Sequence, residues 1–365
     1  MSVFSTVQKN LRKPQFGLTT LFVVVTLISI PLAIRTSRER AYQARMAAVA
    51  QLRGLHACEI KVDAKNPRIP LSTLRLGEQG RTLEPDDTVL EVEIGAYVGP
   101  ALLDEQVSAI LAFSALRHLS IRGCRITTAQ LGEIGKLHSL ESLDLTWSDV
   151  GDEGVRQLGG LRSLRSLRLR ETKVTDAGLA GLAPLSKLKT IDLSSTEITD
   201  AGLRHLTAIR SLQGLGLAGT NISDDGVRHL NALASLRRLD LCETKISDAG
   251  LASLYLPRLE SCYLDGNHIG DNGLAHLAHM NHLYCLTLSK THVTDKGLRM
   301  LRRFDSLEDV TLRRCPISDA GLPSLGKVGT LCETYIEDAG SVSAEGVERL
   351  RATRPGLRAY WRRHK

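Results

Sequence analysis

From Leu116 onward the hydrophobic positions recur at a fixed interval. Leucines stand at 116, 140, 164, 188, 212, 236, 259, 283, 307 and 331, spaced by 24 residues except for one 23-residue step after 236. In the unit beginning at Leu164, Leu167 and Leu169 alternate with Ser166, Arg168 and Arg170. That period of two predicts a strand with one buried face. Val174, Leu179, Leu182 and Leu185 follow at wider spacing behind Thr175-Asp176, which predicts a turn and then a short helix. Ser or Thr precedes Asp in most units, as at Thr199-Asp200 and Ser247-Asp248. The hydroxyl suits an N-cap and the acid suits the first turn of the helix. Glycines two residues after these aspartates, such as 178, 202, 226 and 250, are expected to let each helix lie close to its strand. A small polar residue recurs before the turn (Thr172, Thr196, Thr220, Thr244, Asn267, Thr291, Cys315), placed to bond backbone groups that a packed interior cannot solvate.

The L-x-x-L-x-L-x-x-[T/N/C]-x-[I/V] pattern, ending T-D-x-G-L-x-x-L, resembles the leucine-rich repeat family in a short form. Ten units cover 116–356. Leu90-Glu-Val92-Glu-Ile94 with Val107, Ile110 and Leu111 is read as a degenerate first unit over 90–115. Residues 357–365 are read as a C-terminal cap and basic tail, with Leu357 to Trp361 as a last strand. The resemblance implies an α/β solenoid: a ribonuclease-inhibitor-like horseshoe with a parallel sheet on the concave side and short helices on the convex side. Helices about 10 Å wide stacked behind strands about 4.8 Å apart force that curvature. A solenoid exposes a long sheet and works as a binding surface, so the expected function is non-enzymatic protein–protein interaction. The repeats also resemble those of eukaryotic ubiquitin-ligase receptors, which leaves a recognition subunit of a larger complex as the alternative. Residues 1–89 contain no recognisable F-box.

Ahead of the repeats, Phe16 to Ile34 is a 19-residue stretch without a charge, near the length needed to span a bilayer core. It reads as a retained transmembrane helix, a single-pass membrane anchor behind a basic tail over 1–15. A cleaved signal peptide is the competing reading, and Pro31-Leu32-Ala33-Ile34-Arg35 offers it no good cleavage site. Lys9, Arg12 and Lys13 precede the span, while Arg35, Arg38, Arg40, Arg45 and Arg53 follow it. The balance leans towards a cytoplasmic repeat domain. Seven cysteines, an odd number without paired spacing, lean the same way. Residues 35–53 read as a juxtamembrane helix, either a stalk or a helix on anionic headgroups, stopped by Gly54. Residues 54–89, with three prolines, read as a linker or irregular cap.

The formal charge of +7 changes meaning once it is located. Residues 1–53 net +7 and residues 351–365 net +6, so the 297 residues between them net −6. A nucleic-acid module concentrates positive charge on its folded face, and this body is mildly acidic. Nucleic acid is therefore excluded as the expected partner. Aromatic residues make up only 4% of the chain, which fits thin, similar layers rather than one bulky core.

Motifs that resemble chemistry dissolve in the repeat register. Gly214-Leu-Gly216-Leu-Ala-Gly219 satisfies G-x-G-x-x-G, but it falls on a strand rather than between a strand and a helix. Its consequence is a strip of concave face without side chains, a shallow notch for a partner's group. The recurring aspartates supply one carboxylate per unit, too few for calcium. His276, His279 and His282 spread around one helix rather than converging on zinc. No catalytic residue, metal site or cofactor is expected, and no small-molecule substrate. Asp144 and Asp192 stand two strands apart with Arg168 between them, an arrangement for mutual ion pairing rather than acid–base catalysis. The expected partner-contact surface is Asp144, Trp147, Arg168, Arg170, Asp192, Gly214, Gly216, Arg238, Asp240, Tyr263 and Arg313, chosen because aromatic and Arg anchors dominate interfaces.

Overall fold

The computed structural model describes residues 101–362 without a break. Before them it describes a helix over 39–50, which also takes in residues 37 and 52, and the strands Cys58–Asp63, Ser72–Arg75 and Thr88–Gly95. One sheet of 14 strands runs through the described residues. Twelve strands are parallel and follow chain order. They are β3 (Thr88–Gly95), β4 (His118–Arg122), β5 (Ser142–Asp144), β6 (Ser166–Arg168), β7 (Thr190–Asp192) and β8 (Gly214–Gly216). The series continues with β9 (Arg238–Asp240), β10 (Ser261–Tyr263), β11 (Cys285–Thr287), β12 (Asp309–Thr311), β13 (Glu333–Glu337) and β14 (Arg358–Arg362). At the N-terminal end, β1 (Cys58–Asp63) pairs antiparallel with β3, and β2 (Ser72–Arg75) pairs antiparallel with β1. The segment expected to be a linker or irregular cap thus contains two strands that extend the sheet. The alternation Cys58-Glu-Ile60-Lys-Val62 accounts for the first of them.

The 24-residue period sets the register. Leu143, Leu167, Ile191, Leu215, Leu239, Cys262, Leu286 and Val310 stand side by side across eight strands, each at most 2% exposed. Burying one such side chain stabilises the fold by about 1.5–3 kcal/mol. Just past each strand, one residue turns into the left-handed region: Trp147 (φ 62°), Glu171 (54°), Ser195 (55°), Glu243 (52°), Lys290 (55°), Arg314 (53°) and Asp338 (47°), with glycine at 123, 219 and 266. The N–H of each donates to a carbonyl of the next repeat, as from Trp147 to Arg170 (2.9 Å) and from Lys290 to Arg313 (2.7 Å). That bond offsets the roughly 1–2 kcal/mol of left-handed backbone. The recurring threonines then donate to the carbonyl three residues back, as Thr172 Oγ1 does to Leu169 at 2.6 Å.

Each repeat is also tied to the next by its aspartate. Asp176 accepts the backbone N–H of Thr199 at 2.8 Å and its hydroxyl at 2.6 Å. Asp152 does the same with Thr175, Asp200 with Ser223, Asp224 with Ser247, Asp271 with Thr294, Asp295 with Ser318 and Asp319 with Ser343. Asp248 meets Gly270 and keeps only the backbone bond, at 2.7 Å. The ties give the glycines a role beyond the one expected from the sequence. A Cβ on Gly202 would lie 2.2 Å from Asp176 Oδ1, and one on Gly226 would lie 2.1 Å from Asp200 Oδ1. The glycines make room for the carboxylate of the preceding repeat, in addition to any approach of helix to strand.

The N-terminal end of the core is covered by a part outside the repeats, and the C-terminal end by the helix of the last repeat and the edge strand β14. The last turns of the 39–50 helix and its extension bury Ala48, Val49 and Leu52 (2%, 5% and 0% exposed) in the same core as Val92, Ile94 and Phe113. This part of the helix is therefore packed against the solenoid, not standing off it as a free stalk. At the other end the helix Ala344–Thr353 supplies Arg351, whose guanidinium takes the Ala359 carbonyl of the edge strand β14. Arg354 bonds carbonyls of Gly326, Val328, Gly329 and Leu331. Part of the C-terminal positive charge is thus committed to closing the end. Among the described residues no helix is long and apolar enough to cross a membrane; the apolar stretch 16–34 lies outside the described residues.

Candidate functional site

Each repeat places four residues on the concave face, two in the strand, one just beyond it, and the left-handed residue. At β6 these are Ser166, Arg168, Arg170 and Glu171. The second of these positions forms a column through Asp144, Arg168, Asp192, Gly216, Asp240 and Tyr263. Asp144 is 8% exposed. Its Oδ1 accepts the Thr146 N–H (3.0 Å) and hydroxyl (2.6 Å), while Oδ2 faces Arg168 Nη1 (3.5 Å) and Arg122 Nε (4.0 Å). Asp192 Oδ1 accepts the Ser194 N–H at 3.0 Å, and Asp240 Oδ1 accepts the Cys242 N–H at 3.1 Å. Neither forms an ion pair among the described residues. The expected mutual pairing is thus found between Asp144 and Arg168 and does not extend to Asp192.

Seven of the expected contact residues meet around one shallow depression of about 350 Å³: Arg168, Arg170, Asp192, Gly214, Gly216, Arg238 and Asp240. Its floor is the glycine strip, because the strand there carries no side chain outward. Arg170 is turned onto Glu171 (3.3 Å). The guanidinium of Arg238 lies over the Tyr263 ring, 4.7 Å from its centre. A planar cation held by its face in this way keeps its edge donors free. Burial and the adjacent Asp240 carboxylate both push the Cys242 thiol well above its ordinary pKa, so it stays protonated and unreactive at neutral pH.

Trp147 and Arg313 stand apart from that depression. Trp147 is 43% exposed on its left-handed residue, with the Arg122 guanidinium 5.1 Å from its ring centre. Arg313 pairs with Glu337 (3.2 Å) and lies 5.9 Å from the Tyr335 ring, which stacks on Tyr360 at 4.8 Å. Three Arg–aromatic pairs are therefore spread along the face. Sequence reasoning missed Arg122, Tyr335 and Tyr360. The register could have found them, since Arg122 shares a column with Arg170, and both tyrosines share one with Asp144.

Near the C-terminal end, burial and the neighbouring Glu333 raise the pKa of Asp309, whose Oδ1 has no hydrogen-bond partner. Glu333 itself accepts from the Tyr335 hydroxyl at 2.7 Å and pairs with Arg358 at 3.6 Å. Among the described residues no group of three or more His, Cys, Asp or Glu side chains is placed to hold a metal ion. What the face offers is charged and aromatic contact over an open sheet.

Comparison with known protein families matches residues 100–333 to the one described as a leucine-rich repeat region. No curated protein matches the sequence. Among solved structures, an internalin (inlF) from Listeria monocytogenes is similar at 18% identity and a TM-score of 0.51, over 74% of this chain and 86% of that one. An internalin C2 (inlC2) from the same organism shares 22% identity over 61% of this chain and 80% of its own, with a TM-score of 0.40. At these identities the inlF likeness concerns the fold alone, a parallel sheet alternating with helices.

Proposed function

The chain belongs to the leucine-rich repeat family, and from that premise we propose that it is a membrane-anchored, non-enzymatic scaffold that docks a protein partner on its concave sheet. Leucine-rich repeat domains generally mediate protein–protein interaction. The observation that carries the reading here is the concave face itself. It sets three Arg–aromatic pairs and a side-chain-free depression along an open sheet, with residue types that anchor interfaces. The contact surface of this reading is the predicted set from Asp144 to Arg313, with Arg122 and Tyr335 added.

The anchor is residues 16–34, by length and lack of charge. The repeats are placed on the cytoplasmic side, on the excess of Arg after the span over Lys and Arg before it. Six cysteines, at 124, 242, 262, 285, 315 and 332, are free thiols, which fits a reducing compartment. Two experiments test these parts separately. A photo-crosslinking residue at Ser195, exposed on the concave rim, is expected to form an adduct with a protein in intact cells. The same residue at Lys296, on the helix Asp295–Met300, is expected not to; adducts only from Lys296 would remove the docking reading. For the side of the membrane, Ser195→Cys in a cysteine-depleted variant is treated with a membrane-impermeant maleimide. Labelling only after lysis is expected, and labelling of intact cells would reverse the orientation.

A further inference from the structure

The second concave column alternates in charge until it reaches the glycine strip. Asp144, Arg168, Asp192, Gly216 and Asp240 lie side by side on five successive strands. Asp144 shows how an acid at this position is satisfied. One oxygen accepts the backbone N–H two residues on, and the other faces guanidinium groups from the strands on either side. Asp192 and Asp240 reproduce the first half of that arrangement and lack the second. Between them the alternation requires a cation, and the strand offers Gly216.

The space there is shaped for a visitor of one kind. Asp192 leans over the glycine, its Oδ1 2.7 Å from where a Cβ on Gly216 would be. Strands β7 and β9 are two spacings apart, about 9–10 Å, which admits one charged head group with a carboxylate on each side. Arg238, on β9, is drawn the other way, over Tyr263 on β10. Arg168 and Arg170, which line the same depression, are likewise engaged elsewhere, with Asp144 and with Glu171, and over the whole concave face acids outnumber bases. From β4 to β13 the concave positions carry ten acids against seven Lys and Arg, on a chain whose formal charge is +7.

We propose that this gap receives an arginine or lysine side chain of a protein partner, whose charged end bridges Asp192 and Asp240 above Gly216 and completes the alternation. The proposal rests on the concave docking reading and deepens it: the partner's contact segment is basic where it crosses β7 to β9. Asp144, already paired, is part of the wall and not of the receptor.

The test uses the full chain in detergent at low ionic strength, with fluorescein-labelled hexa-arginine and hexa-glutamate as probes read by fluorescence anisotropy. Hexa-arginine is expected to bind more tightly than hexa-glutamate. The pair Asp192→Asn and Asp240→Asn should weaken hexa-arginine at least tenfold without lowering the melting temperature, because no ion pair inside the chain is lost and the amide oxygens still accept the Ser194 and Cys242 N–H bonds. A control pair, Glu171→Gln and Asp338→Asn, removes two charges from the same face and should weaken it less than threefold. Equal weakening by both pairs would mean bulk attraction and overturn the proposal, as would tighter binding of hexa-glutamate. In cells, a Ser195 adduct that survives Asp192→Asn with Asp240→Asn would remove the basic bridge and leave concave docking standing. Loss of adducts from every concave position in the otherwise unaltered chain would remove both.

Discussion

At the scale of single residues, the same amino-acid type does different work at different places in the repeat, and space decides which. Gly226 faces Asp200 Oδ1 at a distance no Cβ could share. Gly226→Ala must therefore displace the carboxylate from Ser223, with loss of about 3–6 kcal/mol for two hydrogen bonds to a charged group at about 1.5–3 each. Gly329 has no atom within 4 Å of the place where a methyl group would stand, so Gly329→Ala should be neutral or stabilise by about 0.4–1 kcal/mol. Urea denaturation of the two variants checks the contrast, and equal effects would refute the spacer role. Ser195 presents the converse case. Its φ of 55° is glycine's region, and Ser195→Gly should gain up to about 1 kcal/mol. None of this is legible from the repeat pattern. The glycine recurs visibly, but the atom that excludes its Cβ lies one repeat, 26 residues, earlier in the chain. The left-handed column shows in the sequence only at Gly123, Gly219 and Gly266, because Trp147, Glu171, Lys290 and Arg314 in the same column carry no glycine signal.

At the scale of elements, the carboxylate ties make each helix start depend on its predecessor. The last tie is the clearest case. Hydrogen bonds from the Ser343 hydroxyl and amide hold the Asp319 carboxyl below its ordinary pKa, with Arg349 adding to the effect. A lowered carboxyl stabilises the folded state above its unfolded pKa, near 3.9, and that contribution is lost as pH falls through the folded value. The terminal helix should therefore loosen below about pH 4, read in a Trp147→Phe background by the fluorescence of the remaining Trp361. Asp319→Asn should abolish that pH step and leave a pH-independent, less stable end. A step unchanged by Asp319→Asn would assign it to other carboxyls. The strands, the core leucines and the helix starts were legible, since period two and the capping residues are local signals. β1 and β2 were not, because three prolines over 54–89 masked an alternation only five residues long. The choice of Arg168 for Asp144 over Asp192 was also hidden, since a symmetric sequence neighbourhood does not say which way a guanidinium turns.

At the scale of the whole molecule, the core is one continuous stack closed at its two ends by different parts, one ahead of the repeats and one formed by the last repeat with β14. The Leu52 side chain is fully buried at the N-terminal end, so Leu52→Ala should lower global stability by about 2–5 kcal/mol. A stalk would lose nothing, and an unchanged urea midpoint would restore that picture. The coverings at the two ends differ from each other, whereas the joints between repeats are nearly the same joint. That asymmetry gives the molecule a heritable length. A whole 24-residue unit could be gained or lost by recombination in the middle while both coverings and every remaining joint stay intact. Each such event would shift the distance between the Trp147 and Arg313 regions by one strand spacing, about 4.8 Å. The concave face is in that sense a ruler marked in strand widths, whose length changes by steps that a single-core domain cannot take.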